Sequence, residues 1–352
     1  MSPGAGAPAD AGAARPPLRF RPDGTFTILQ VTDLHEGAEG EPRTAAFLAA
    51  VLDDQRPDLV VLTGDLVASA LATRADLDRA LWNVVGPVER RAIPWFVTLG
   101  NHDEDHTAAT GVDAAGLLAR CRAWPHNRNL PGPPGVTGVG NMQALVLASR
   151  GDAPVFGLWA LDAGREAPET LGGQTLRDDA LPGWGWMPRW DWIRQDQVAW
   201  YAATSARLER EHGGKIPSLL FLHVPLHEHR AMWESDAARR AAPAGGPAPQ
   251  HDVTGERNEE ECVGAFNGGL FAAALGRGDV LGIFCGHDHV NDYQGDWFGI
   301  RLGYAASAGF APYGLGGDED HRLRGARVFT LEERDPWRFT TRMLRASAYG
   351  IG

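Results

Sequence analysis

The chain predicts an α/β domain built on two central sheets with helices packed outside them. Two observations carry this. Five short runs are almost continuously apolar inside, as strands buried on both faces must be. Between the first three of them lie segments with helical periodicity, so the opening reads strand, helix, strand, helix, strand.

In order, the runs are "FTILQVTDLH" (26–35), "DLVVLTGDL" (58–66), "PWFVTLGNHD" (94–103), "SLLFLHVPLH" (218–227) and "DVLGIFCGHDH" (279–289). The intervening helices fall at 42–54 and 74–90. Further strands are expected at 142–149, 154–162, 300–307, 325–332 and 337–345, and further helices at 191–212 and 266–276. Two segments read as surface loops inserted in the domain. Residues 164–190 are rich in Gly and Pro and lead into "GWGWMPRWDW"; residues 237–250, "AARRAAPAGGPAPQ", are of low complexity. Residues 1–20 read as a disordered lead-in and 21–348 as one domain without internal repeats.

With 43% hydrophobic residues in 352, the chain has enough apolar surface for a large core. Acidic residues exceed basic ones by 45 − 33 = 12, which disfavours a grip on duplex nucleic acid. No stretch approaches the ~20 apolar residues of a membrane span. Cys121, Cys262 and Cys285 are odd in number and far apart, which suits a reducing, cytoplasmic setting better than a disulfide framework.

The polar ends of the five runs read together. They are "TDLH", "TGDL", "LGNHDE", "LHVPLH" and "CGHDH". Each sets Asp, Asn or His where an apolar strand runs out, the usual ligand edge of an α/β sheet. Taken singly, "TGD" is an ordinary turn and Asp33 with His35 an ordinary hydrogen-bonded pair. As a series they gather two carboxylates (Asp33, Asp65), an amide (Asn101) and four imidazoles (His35, His223, His287, His289). If each Asp33-x-His35 and His287-x-His289 pair extends its strand, both members point to one face. A thiolate-free N/O set suits Zn, Mn or Fe better than Ca or Mg. Seven donors are too many for one such ion and suit two that share a carboxylate.

These five blocks, in this order over residues 26–307, resemble the signature of the calcineurin-like metallophosphoesterase superfamily. The blocks "HVPLHEH" and "CGHDHVNDY", with "RNEEECVGAFNGGLF" between them, are most similar to its purple-acid-phosphatase-related and yeast-type cell-cycle phosphatase branch. The resemblance implies a four-layer αββα sandwich with two mixed sheets. It implies two divalent or mixed-valence metal ions. Asp33, His35 and His289 would hold one, Asn101, His223 and His287 the other, with Asp65 bridging. One departure stands out. Purple acid phosphatases place a ferric-ligand tyrosine three residues after the bridging aspartate, and protein phosphatases an aspartate; here "GDLVAS" gives Ala68.

The activity this implies is hydrolysis of phosphate esters. A hydroxide shared by the two ions would attack phosphorus in line with the leaving oxygen. Phosphomonoesters are the first expectation; diesters such as cyclic nucleotides or glycerophosphodiesters are the alternative, and a phosphate-binding scaffold without turnover is a third reading. His102 would donate a hydrogen bond or proton to the leaving oxygen, with Asp103 orienting it, unless it only braces the ligands. His227, with Glu228 and His229, would line the rim of the pocket and touch substrate, or else form a solvated loop. The Trp cluster at 184–192 would wall the leaving group, or pack beneath its loop.

Overall fold

Nearly continuous burial along the central strands sets the layers. The structure, a computed structural model, describes residues 15–176, 189–242, 246, 248–317 and 320–352. One sheet has five strands, in the order β14 (Phe339–Arg345), β13 (Gly325–Glu332), β2 (Thr25–Val31), β3 (Leu59–Leu62) and β4 (Trp95–Val97). The other has seven, in the order β1 (Leu18–Arg19), β5 (Met142–Leu147), β6 (Pro154–Ala160), β9 (Ser218–Phe221), β10 (Val280–Cys285), β12 (Ile300–Tyr304) and β11 (Gln294–Trp297). A small hairpin, β7 (Thr170–Leu171) with β8 (Gln174–Thr175), stands apart from both. Strands β2, β3 and β4 are mutually parallel, as are β6, β9, β10 and β12.

Successive residues of a strand point to opposite faces, and here both faces are apolar. Phe26 and Ile28 of β2 face the space between the sheets, where they meet Phe156, Leu219, Phe221 and Phe284. Leu29 and Val31 turn outward, into a core shared with Phe47, Val51 and Leu81 from α1 (Pro42–Gln55) and α2 (Arg74–Glu89) and Leu117 from α4 (Ala114–Arg122). On the seven-stranded sheet, Leu220 and Ile283 face a third core with Tyr201 of α5 (Gln195–His212), Met232 of α6 (His227–Arg240) and Leu270 of α7 (Leu270–Arg277). Among the described residues a single turn, α3 (Thr107–Thr110), and a 3-10 turn at Ala346–Tyr349 complete the helices. Three apolar layers between four layers of secondary structure make the αββα sandwich. Edge-to-face aromatic pairs, including Phe284 against Phe329 at 4.6 Å between centroids, lock the inner layer.

Several boundaries differ from the sequence expectation. The one at residue 20 moves, because Leu18–Arg19 pair in parallel with β5 and Phe20 is buried. Residues 237–240, expected to open a loop, instead close a helix that begins at His227. Strands end early, at Val31, Leu62, Val97, Phe221 and Cys285, so the polar residues after them lie in loops. Part of the two inserted segments (177–188, 243–245 and 247), including Trp184 and Trp186, lies outside the described residues, as do residues 1–14. Among the described residues no helix is long and apolar enough to cross a membrane.

Candidate metal centre

The C-terminal ends of β2, β3, β4, β9 and β10 open onto one pocket, and the backbone there is unusual. Asp33 (φ 52°), His35 (φ 46°), Asp65 (φ 51°) and His287 (φ 77°) all adopt the left-handed conformation. Such residues cost about 1–3 kcal/mol each and persist where their surroundings hold them. Here hydrogen bonds do so. The amides of Asp33 and His35 donate to the carbonyls of Gly64 and Asp65, both at 3.0 Å. The expected extended pairs therefore do not exist. Asp33 and His35 converge through turned backbone, and so do His287 and His289.

Two glycines let the loops approach this closely. Gly64 is itself left-handed (φ 91°), and a Cβ there would lie 2.5 Å from the amide nitrogen of Gly100. A Cβ on Gly100 would fall 2.2 Å from Asp65 Oδ1. No side chain fits either place.

Two groups of side chains result, each with its ligand atoms within 4.8 Å of one another: Asp33, His35, Asp65 and His289, and Asp65, His223 and His287. Asp65 belongs to both. Its Oδ2 lies 3.5 Å from His35 Nε2 and 3.3 Å from His223 Nε2, while its Oδ1 accepts the His102 amide at 2.8 Å. Asn101 joins the second group, with Oδ1 3.0 Å from His223 Nε2. All seven sequence-selected donors thus meet in one place.

The electrostatics of this cluster call for a cation. Imidazole nitrogens face each other at 3.3 Å (His35 and His289) and at 3.2 Å (His223 and His287). Two such lone pairs need a proton or a metal between them. Asp33 Oδ1, one of the clustered oxygens, is buried without a hydrogen-bond partner. Burial works against ionising Asp33 and Asp65, but the adjacent imidazoles outweigh it and hold both carboxyls below the usual range. Burial would likewise depress His223, yet the Asp65 carboxylate lifts it to about 10. Burial lowers His35 to about 4, and burial with the neighbouring His223 charge lowers His287 to about 3. His223 is further oriented by Nδ1 donating to the Thr63 carbonyl at 2.7 Å, which leaves Nε2 facing the cluster. A mixed N/O donor set of this kind fits Zn, Mn or Fe.

Around the donors, several expectations change. His102 stands at the mouth with its side chain 40% exposed, but Asp103 does not orient it. The buried Asp103 carboxylate accepts the amides of Asp65, Leu66 and Gly100 at 3.0, 2.7 and 2.8 Å, so it ties the loops together. Burial and the nearby Asp65 charge raise it to about 7. Asp105 takes the place expected of Asp103, with Oδ2 2.6 Å from His102 Nδ1.

His227 opens α6, and its Nε2 donates to the Gly264 carbonyl at 2.9 Å beside a small cavity lined by Trp192 and Phe266. It joins neither donor group. His229 is not at the rim at all: it is fully buried against Tyr304, and burial lowers it to about 4. The tryptophans divide. Trp190 stands edge-on to His287 at 4.8 Å and near His102 at 6.4 Å, as a wall of the pocket, while Trp192 packs under the Arg194 guanidinium. Three further neighbours border the site, of which Cys262 and Arg165 escaped sequence reasoning. Tyr313 stacks on His289 at 4.2 Å, Cys262 comes within 4.8 Å of His287 and Asp288, and Arg165 pairs with Asp105. None has a local motif that would have marked it.

Residues 26–291 match the family described as calcineurin-like phosphoesterase. The chain is 30% identical over 330 residues to an Arabidopsis thaliana protein named probable inactive purple acid phosphatase 14, covering 84% of this chain and 74% of that one. It is 29% identical to probable inactive purple acid phosphatase 29 of the same plant, covering 92% and 81%. With phosphatase DCR2 of Saccharomyces cerevisiae it shares 28% identity over 81% of this chain and 47% of the yeast protein.

Proposed function

The chain belongs to the calcineurin-like phosphoesterase family, and from that premise we propose that it is a binuclear-metal hydrolase of phosphomonoesters. One observation carries the reading: a single oxygen, Asp65 Oδ2, is shared by two groups of donors, as a carboxylate between two ions would be. Asp33, His35 and His289 would hold one ion and Asn101, His223 and His287 the other. Bound there, two ions would lower the pKa of a water and neutralise phosphate charge. Two divalent ions against two carboxylates leave a net positive site, which draws in phosphate despite the acidic surface.

The remaining work falls to the chain's own groups. His102 has Nδ1 on Asp105, so its Nε2 is the nitrogen left to protonate the leaving oxygen. Trp190 and Tyr313 border the site on the His287 and His289 sides. Two Arabidopsis relatives are named probable inactive phosphatases, and a chain that had lost turnover would be expected to lack a donor. All seven are retained here.

The test is hydrolysis of p-nitrophenyl phosphate against bis-p-nitrophenyl phosphate by protein of known metal content. The monoester should turn over faster. Faster cleavage of the diester replaces the monoesterase reading with the phosphodiesterase one, and no cleavage of either by the two-metal protein contradicts both.

Two smaller predictions concern the metals. With Ala68 beyond the bridging carboxylate, and the Tyr313 hydroxyl engaged by Glu259 at 2.8 Å, the iron-loaded protein should lack a violet tyrosinate band. A strong visible absorption would bring a tyrosine into the coordination sphere. Metal binding near pH 7 should also release protons. His223 is held protonated up to about 10 in the metal-free cluster, and a ligand imidazole must be neutral. Affinity should therefore rise with pH through the neutral range, as calorimetry in buffers of different ionisation enthalpy would read. Ion uptake without proton release would contradict this.

A further inference from the structure

A third group of metal-ligating side chains adjoins the two already described. Cys262, His287 and Asp288 each bring a donor atom within 4.8 Å of the others. Of the three cysteines, Cys121 and Cys285 are buried and Cys262 is exposed. A solute can therefore reach Cys262, with Asp288 and His287 buried beneath it. The loop that carries the thiol is stitched to the turn that carries the histidines. The Cys262 amide donates to Asp288 Oδ1 at 3.1 Å and the Val290 amide to Glu259 Oε1 at 2.9 Å. Asn291 Oδ1 accepts the amides of Asn258 and Glu259 at 2.8 and 3.1 Å. The fold itself thus sets the thiol beside the turn.

A second observation points to an ion there. His287 is only 8% exposed, and its Nδ1 faces His223 Nε2 at 3.2 Å inside the seven-donor cluster. Its Nε2, on the far side of the ring, is buried without a hydrogen-bond partner. Buried polar atoms are seldom left so. Nε2 is the His287 atom that remains for the third group.

We propose that Cys262, His287 Nε2 and Asp288 form a separate site for a soft divalent cation, of the zinc or cadmium class, that inhibits when filled. The inhibition rests on the hydrolase reading above; the binding does not. Thiolate selects zinc or cadmium over manganese or magnesium. A sulfur–metal bond replaces the thiol S–H bond, and the proton leaves to solvent. A neutral imidazole has one lone pair to give. With that pair on Nε2, Nδ1 carries the proton and no longer serves the half of the centre built with Asn101 and His223. Filling the third site therefore weakens that half, and filling that half weakens the third site.

The test begins without turnover. Manganese-loaded protein is titrated with cadmium while the ultraviolet thiolate-to-cadmium charge-transfer band is followed. The seven-donor centre contains no sulfur, so cadmium exchanging into it adds nothing to this band. The band should reach a plateau at about one thiolate-bound ion per chain and vanish in Cys262→Ser. Cadmium should also protect Cys262 from iodoacetamide. No band, or the same band in Cys262→Ser, would overturn the proposal.

Kinetics test the coupling. Zinc added beyond the two catalytic ions should inhibit p-nitrophenyl phosphate hydrolysis, whereas excess manganese should not. Cys262→Ser should leave turnover of the two-metal protein unchanged. It should raise the zinc needed for half inhibition by ~10-fold or more, since losing a ligand costs at least as much affinity as losing an outer partner. Zinc inhibition undiminished in Cys262→Ser would overturn the proposal. A wild-type chain without phosphatase activity would overturn the hydrolase reading instead, and the cadmium band would still report whether the site binds.

Discussion

Asp65→Asn should empty both halves of the metal centre and abolish turnover. The carboxylate lies between His35 Nε2 and His223 Nε2, at 3.5 and 3.3 Å, and among the described residues it is the one side chain common to both donor groups. The substitution removes half of the negative charge supplied by Asp33 and Asp65. It also turns an oxygen that accepts from several directions into an amide that must point an N–H somewhere. Metal content should fall from about two ions per chain to below one, and kcat/KM by ~10³-fold or more, since each ion contributes several kcal/mol of charge stabilisation. Asn101→Ala should be milder, emptying mainly the half that holds His223 and His287. Elemental analysis of the two variants separates these outcomes. Full metal content and rate in Asp65→Asn would mean that the shared ligand is another residue.

His102→Ala should have the second largest effect, and of a different kind. His102 lies beside Asn101 in sequence, yet its ring joins neither donor group and is turned toward Asp105. The variant should keep both ions and bind substrate with little change in KM, while kcat falls by ~10²–10⁴-fold. An interaction made mainly as charge builds on the leaving oxygen affects kcat rather than KM. The deficit should shrink for p-nitrophenyl phosphate. Loss of a metal would make His102 a ligand; an untouched rate would make it structural. His106, engaged with Thr110, and the buried His229 are poor replacements, and His227 already donates to a carbonyl.

The layers and the clustering of seven donor-type side chains were legible for a shared reason. A strand buried on both faces must be continuously apolar, so a polar residue in such a run marks where the strand stops and a loop begins. "TDLH", "TGDL", "GNHD" and "GHDH" announce themselves in that way. How the donors converge was not legible. Pattern reasoning extends a strand by its period of two, whereas Asp33, His35, Asp65 and His287 leave it through left-handed backbone fixed by long-range hydrogen bonds.

Adjacency in sequence misled at Asp103, whose carboxylate is spent on three amides of neighbouring loops. The actual partner, Asp105, lies on the same turn, its amide on the His102 carbonyl and its carboxylate on the His102 ring. Arg165 and Trp190 sit at the two ends of a Gly- and Pro-rich segment whose composition suggests only a loop, and nothing local ties them to a pocket some sixty residues or more away in sequence. α6 was missed for a different reason. Its "AARR" was read as low complexity, although Ala and Arg are strong helix formers.

The central claim is that turnover requires two ions held by one shared carboxylate. It is tested most directly by adding Mn, Zn or Fe stepwise to chelator-treated protein while following p-nitrophenyl phosphate hydrolysis and bound metal together. The account predicts that activity climbs steeply with the second equivalent and saturates near two ions per chain. Saturation at a single ion, or undiminished hydrolysis by metal-free protein, would contradict it.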